Sequence, residues 1–349
     1  MIAIKRNNQS PYSWPAEWES QAATWIAWPH NLQTWPRRFE PIPNVFVQFI
    51  TELARVQAVH VLSGPSGLRS PASENLSNTP NVFIHNVPTN DTWIRDYGPT
   101  FVRRLDDGVV VGINWQFNAW GGKYPAFADD ARVAETVCKL IGSPRSVSAM
   151  FCEGGALETD GAGTLLTNSC VLLNPTRNPG WTREMVEGEL QRQLGVTNII
   201  WVDGGGLIGD DTDGHIDQLA RFVAPGVVVA AQSSQAGDPN SDGLAENIRI
   251  LRNASLSDGK RIEVHPLPTP PPRLIDQERV PESYCNFLFA NGIVIVPTFQ
   301  SDVTDRAAIR LFEQLLPDRK IVPLDASDLI WGRGAFHCAS QQQPMGKPS

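Results

Sequence analysis

The chain has 349 residues, of which 41% are apolar and 19% charged, a balance that excludes a disordered polymer and permits a sizeable buried core. Its 29 Lys+Arg against 37 Asp+Glu leave a net charge of −8. With no basic run, this excludes nucleic acid or an anionic membrane surface as the main partner, since both require clustered cations.

The opening, Met1 to Asn8, carries no apolar segment of a secretory signal, and no run of about 18 apolar residues exists to span a membrane. A cytoplasmic protein is expected. Cysteines stand at 138, 152, 170, 285 and 338. An odd number without a Cys-x-x-Cys pair reads as reduced thiols rather than a disulfide framework or a zinc site. Cys138 and Cys170 are expected to be small buried apolar residues.

Five helices are predicted in chain order. Phe46, Phe49, Ile50 and Leu53 form the first apolar stripe, with Pro43 near its start. Val133, Val137, Leu140 and Ile141 form the second, with Gly142 as its C-cap. The third runs over 182–194 before Gly195, and the fourth over 244–251. The fifth carries Ala308, Leu311, Phe312, Leu315 and Leu316 and stops at Pro317.

A short β-rich run follows each helix, at 56–62, 146–151, 198–202, 262–267 and 320–324. Four hairpin turns are marked by glycine, at 105–108, 160–163, 224–226 and 290–292. The fifth hairpin lacks a downstream partner, which the N-terminal run Ala23 to Trp28 can supply. The expectation is a single domain, 1–349, of five αβ units at roughly 30–120, 121–180, 181–240, 241–300 and 301–349, closed by the strand 22–29. An open α/β sheet fits the same periodicity.

Polar clusters sit where each β-run meets its hairpin: Asp91 to Pro99, Cys152 to Gly155, Gly209 to Asp217, Tyr284 to Phe287 and Gly332 to Cys338. Glu153 before two glycines is notable because Glu is a poor turn residue. The acidic loop 209–214 lacks the closing Glu of a calcium loop. His215 and Asp217, two apart, face the same side if the segment is a strand, as an oriented acid/base requires. By the same alternation His337 points away from the face that Cys338 occupies, so His215 is the better partner for the thiol.

Several of these segments resemble the agmatine deiminase family, the Porphyromonas-type peptidyl-arginine deiminase group of the guanidine-modifying (pentein) superfamily. They are Trp93-Ile94-Arg95-Asp96-Tyr97-Gly98-Pro99, Glu153-Gly154-Gly155, Asn174 to Pro179, Gly214-His215-Ile216-Asp217, and His337-Cys338-Ala339-Ser340 running on to Pro344. Ala27 to Asn31 and Phe117 to Tyr124 are similar to one branch of it. The resemblance implies an α/β five-bladed propeller. It also implies roles: Cys338 as nucleophile, His215 as general acid/base, Asp96 and Asp217 as the carboxylates gripping a guanidinium, Glu153 orienting the histidine, and Trp93 lining the substrate's aliphatic arm. Family members often form dimers or higher homo-oligomers. Where they commonly read Gly-Gly-Gly-Asn-Ile-His-Cys, this chain reads Gly332-Arg333-Gly334-Ala335-Phe336-His337-Cys338, so Arg333 and Phe336 are expected to reshape the pocket mouth.

Such chemistry suits these groups. A guanidinium is planar, permanently charged and a poor electrophile, so paired carboxylates and a thiolate answer it. Attack by Cys338, proton transfer by His215 and loss of ammonia leave an S-alkylthiouronium, which water hydrolyses; no metal or organic cofactor is required. Agmatine, giving N-carbamoylputrescine, is the expected substrate, its amine matched to the Asp91 and Asp211 region. The alternatives are free or peptidyl-arginine, transfer of the amidino group to an amine, and a non-catalytic guanidine-binding protein.

Overall fold

The five predicted helices form, and local sequence explains their ends. Ile42–Ala54 carries a proline in its first turn, where the missing N–H costs nothing, and buries Phe46, Phe49, Ile50 and Leu53. Val133–Leu140 ends with Gly142 in the left-handed region, at φ 64°. Its predicted stripe is narrower than expected, because Leu140 is exposed. The hydroxyl of Thr182 caps Arg183–Leu194 by accepting from Met185 N at 3.4 Å, and Gly195 closes it at φ 71°. Ser241–Asn253 is longer than predicted, and Asp302–Leu315 stops just before Pro317. The computed structural model describes residues 10–65, 74, 76–233 and 235–346, so the first nine residues, which include Met1 to Asn8, and the last three lie outside it.

Each predicted β-run lies beside the hairpin that precedes its helix. The antiparallel strands Thr100–Arg104 and Val110–Gln116 are followed by the second helix and by Arg145–Phe151, which pairs parallel to Val110–Gln116. Glu158–Thr159, Thr164–Thr167 and Asn198–Trp201 repeat the plan. So do Ala220–Ala224, Val227–Gln232 and Glu263–Pro268, and then Leu288–Ala290, Ile293–Thr298 and Lys320–Asp325. The fifth unit is completed across the sequence: Ser340–Pro344 pairs antiparallel with Gln21–Ala27, which pairs parallel with Ala58–Leu62 beyond the first helix. The right-handed βαβ crossover needs a helix of this length between parallel neighbours, which sets the rhythm.

Three additions were not predicted. Val82–His85 extends the sheet of the terminal strands, Tyr12–Ser13 edges the first hairpin, and a small hairpin joins Leu274–Ile275 to Glu278–Arg279. Two buried apolar clusters support the molecule. The larger includes Trp25, Trp35, Phe46, Phe222, Phe287 and Phe312, and the smaller centres on Val102, Ile113, Leu165 and Leu190. No helix among the described residues is long and apolar enough to cross a membrane.

Candidate active site

Five short turns, one per unit, lead into the first strand of each hairpin and carry the polar clusters to one place. Asp96 lies on Ile94–Tyr97, Glu153 precedes the turn Gly154–Ala156, Asp217 lies on Ile216–Gln218 behind His215, Asn286 lies on Tyr284–Asn286, and Cys338 stands just before Ser340–Pro344. The convergence can be measured from Gly155. A Cβ added there would stand 2.6 Å from His215 Nδ1, 2.9 Å from Asp96 Oδ1 and 3.1 Å from Asp217 Oδ2. Only a glycine lets these three groups share that space.

The strand-alternation expectation is corrected. Residues 215–219 and 335–339 form turns, not strands. The carboxylates nearest His215 are Asp96, at 3.6 Å from Nδ1, and Glu153, at 3.7 Å from Nε2. Both distances exceed a hydrogen bond, and neither ring nitrogen has a hydrogen-bond partner among the described residues. His337 is fully buried, and its ring is held by Asp217 and Glu17 at 2.8 Å each. Strand alternation therefore does not separate the two histidines; what differs is that both ring nitrogens of His337 are engaged by carboxylates, whereas those of His215 are not.

Cys338 Sγ accepts from Asn286 Nδ2 at 3.0 Å, and its S–H faces Asp217 Oδ2 at 3.5 Å. Asn286 Oδ1 accepts the main-chain N–H groups of Ala335, His337 and Cys338 at 3.1 to 3.2 Å. That one amide shapes the turn and touches the sulfur. Asp96 is also fixed at both oxygens, by Gly155 N and by Trp120 Nε1 at 2.9 Å each. Trp120 sits in the left-handed region at φ 55°, a conformation unusual for a bulky residue, and this turns its indole into the pocket. Arg177, wholly buried, donates to Glu153 at 2.9 Å and to Asp213 at 2.6 Å.

These surroundings set the charges. Burial, then Asp217 and Asp96, push the Cys338 thiol well above its ordinary pKa, with Asn286 opposing. Burial works against the imidazolium of His215, but Asp96, Glu153 and Asp217 prevail and hold it up at about 9. Asp96 is raised to about 6, chiefly by burial. Glu153 and Asp217 resist burial and stay below the ordinary carboxylate value, the former through His215 and Arg177, the latter through His337, His215 and Arg221. Near neutral pH the site holds a protonated imidazole and a neutral thiol.

A pocket of about 460 Å³ opens above this floor, reaching Cys338 and Asp96 at the bottom, with Trp93 and Trp120 on its walls. His215, Glu153 and Asp217 lie behind its surface. Asp91 and Asp211 line the mouth. Asp91 is raised to about 7, mainly by burial and with Asp211 adding to it, while Thr34 and the Thr92 N–H pull it down. Asp211 is raised too, mainly by burial, and accepts from Tyr124 Oη at 2.5 Å. Of the loop's three acids, Asp211 alone lines the pocket, with Thr212 beside it. Asp210 accepts from Thr212 and Gly214 inside its own turn, and Asp213 pairs with Lys123 and Arg177.

Arg333 lines the mouth as expected, held by Glu278 at 2.6 Å and by Gly209 O at 2.8 Å. Phe336 does not: it is buried against Phe49, ring centroids 4.9 Å apart. Cys138 is buried as expected, but Cys170 is exposed. All five cysteines are free thiols. No group of three or more His, Cys, Asp or Glu among the described residues is placed to hold a metal ion.

Sequence reasoning gave Asn286, Trp120, Arg177 and Glu17 no role. Asn286 was within reach, because it fills in unit four the position that Cys338 fills in unit five. Nothing in the sequence marks Glu17, which lies outside the repeats.

A thiol, an imidazole and three buried acids beneath an acidic pocket form the constellation of a guanidine-modifying hydrolase. The chain belongs to the Porphyromonas-type peptidyl-arginine deiminase family, whose model matches residues 13–344. It is 35% identical over 353 residues to the agmatine deiminase of Pseudomonas syringae pv. tomato, covering 95% of each chain. It is 34% identical over 360 residues to that of Stutzerimonas stutzeri, covering 96% of each. Among solved structures, the agmatine deiminase of Enterococcus faecalis superposes with a TM-score of 0.88 at 27% identity, covering 98% of both chains. A C. jejuni agmatine deiminase with substrate bound gives 0.87 at 28%, covering 96% of this chain and 97% of the other. The mixed α/β fold is that of the pentein superfamily.

Proposed function

We propose that this protein is an agmatine deiminase, hydrolysing agmatine to N-carbamoylputrescine and ammonia through a covalent intermediate on Cys338. The observation that carries the choice of substrate is the charge of the pocket. Its lining holds five acids (Asp91, Asp96, Asp211, Asp276 and Glu278) against two arginines. Each arginine is already paired, Arg37 with Asp276 at 2.5 Å and Arg333 with Glu278 at 2.6 Å. An α-carboxylate would meet no free cation among these residues, whereas a terminal ammonium would meet Asp91 and Asp211.

In this reading the guanidinium lies on Asp96 and Asp217, its arm along Trp93 and Trp120. The cation offsets the acids that keep Cys338 protonated, and the thiol proton leaves to solvent. Sγ then bonds to the guanidinium carbon. His215, kept charged by Asp96 and Glu153, passes its proton to one –NH₂; the C–N bond breaks and ammonia departs. The remaining S-alkylthiouronium carries the positive charge. Water gives one proton to His215 and adds to the same carbon. The C–S bond breaks with its electron pair returning to sulfur, the second water proton goes to solvent, and the urea-type product is released. The net change is guanidinium plus water to urea plus ammonium. The thiol and the proton carrier are side chains and the second nucleophile is water, so the steps call for no cofactor.

The five sheets are read as blades of one domain around a pseudo-five-fold axis. Five sheets of the same plan and a terminal strand pair that closes the series support this. Ammonia release from agmatine, arginine, peptidyl-arginine and methylarginines tests the substrate. Agmatine is expected to lead; a higher kcat/KM for arginine would overturn the assignment.

A further inference from the structure

His337 is buried, adjacent to the thiol and absent from the chemistry above. Its ring is held at both ends. Nδ1 meets Asp217 Oδ2 and Nε2 meets Glu17 Oε2, each at 2.8 Å. Turning the ring over would set C–H groups against both carboxylates, so the orientation is fixed by its partners. Glu17 is itself anchored. Its Oε1 accepts from Phe289 N at 2.8 Å, and its Oε2 also pairs with Arg221 at 2.7 Å and with Arg95 at 3.7 Å. Arg221 is clamped in turn by Glu158 at 3.0 Å and lies 4.2 Å over the Phe287 ring.

Two N···O contacts of this length need two protons. Either the ring is an imidazolium between two carboxylates, or it is neutral and one carboxyl is protonated. Burial first, then Arg221 and Arg95, favour the neutral ring, while Glu17 and Asp217 favour the charged one. The net charge of the three-residue chain is −1 in both forms, and the geometry is the same.

At the far end, the two oxygens of Asp217 differ. Oδ2 is taken by His337 and lies near Cys338 Sγ, whereas Oδ1 is buried with no hydrogen-bond partner among the described residues. A buried carboxylate oxygen without a donor is costly, and a guanidinium N–H would satisfy it.

We propose that His337 is a positioning residue for Asp217: braced by Glu17, it engages Oδ2 and leaves Oδ1 as the oxygen that receives the substrate's guanidinium. This rests on the deiminase reading. It assigns Glu17, more than 300 residues away in the chain, to the same device. Without the brace, Asp217 can rotate and place either oxygen on the thiol.

A cycle of Asp217→Asn, His337→Asn and the double variant tests it, with kcat and KM for agmatine and a melting curve for each protein. His337→Asn is expected to lower kcat/KM about 10- to 100-fold. The double variant should fall no further than Asp217→Asn alone, because His337 acts only through that carboxylate. Multiplicative losses would overturn the proposal, as would a His337→Asn protein with wild-type kcat/KM. If His337→Asn does not fold at the assay temperature, His337→Gln and Glu17→Gln carry the same cycle. Calorimetric binding of agmatine in a Cys338→Ser background repeats the cycle without turnover. A wild type that binds agmatine but releases no ammonia would refute the deiminase reading, and the binding cycle would still decide the role of His337.

Discussion

The floor and the mouth of the pocket are both rich in acids, yet they are built differently. On the floor, Asp96, Glu153, His215, Asp217 and Cys338 are all 5% exposed or less, and most of their polar atoms are held by residues behind them. At the mouth, Asp91 and Asp211 are half-buried, and the pairs Arg37–Asp276 and Arg333–Glu278 have partly exposed side chains. Charges on the floor interact strongly because water is excluded; those at the mouth are screened. In the proposed reading, the braced interior carries the chemistry and the rim, which can change at small energetic cost, carries the choice of substrate.

This contrast can be broken in order of expected effect. Arg177→Met removes the brace behind Glu153 and leaves a buried carboxylate with less compensation. A loss of about 3 to 5 kcal/mol is expected in chemical denaturation; a loss below ~1 kcal/mol would mean the floor is less dry than its burial implies. Gly155→Ala puts a methyl group among His215, Asp96 and Asp217. About 100-fold lower kcat is expected, with little change in melting temperature, since local misplacement costs that much in a positioned site. Equal kcat would show that the three groups are not used together.

At the mouth the effects should be smaller. Asp211→Asn is expected to raise KM for agmatine about 5-fold, an effect of ~1 kcal/mol, and to leave kcat within a factor of about 2. The rise should shrink as salt is added; a kcat loss matching that of Gly155→Ala would erase the distinction between rim and floor.

Acidity separates the regions again. Asp91 at about 7 and Asp96 at about 6 lose their charge as pH falls, so kcat/KM should fall from pH 8 to pH 5. It should fall again above about 9 as His215 loses its proton. The fold follows another clock. His60 and His85 contact at 2.8 Å on the sheet of the terminal strands, and burial holds His60 down at about 4. The unfolded chain takes up that proton near pH 6.5 and the folded one only near 4, so this pair lowers stability across that window as pH falls. Thermal melts at pH 7, 6 and 5 should show a modest decline that trails the loss of activity.

Much of the architecture was legible because helix and strand periods differ sharply and recur five times. The helices Ile42–Ala54 and Asp302–Leu315 fell where their stripes lay, and each β-run was placed within about two residues. The pairing of the N-terminal strand with the C-terminal one was legible from a missing partner. The Leu274–Arg279 hairpin was not, since two-residue strands carry no period. All five proposed catalytic residues converge, but the turns that carry His215, Asp217 and Cys338 were read as strand. His337 and Glu17 stayed hidden because their roles lie in partners far away in sequence, which local pattern cannot report.

The pairing of Ser340–Pro344 with Gln21–Ala27 also has a consequence for biogenesis. The thiol stands two residues before a strand whose neighbour was synthesised more than 300 residues earlier. A nascent chain therefore cannot assemble the candidate site until Cys338 has emerged, and closing so long a separation is slow. Moving the chain break to an exposed hairpin turn such as 105–108, with the native ends joined, would make that pairing local, and a faster gain of activity on refolding would reveal the delay.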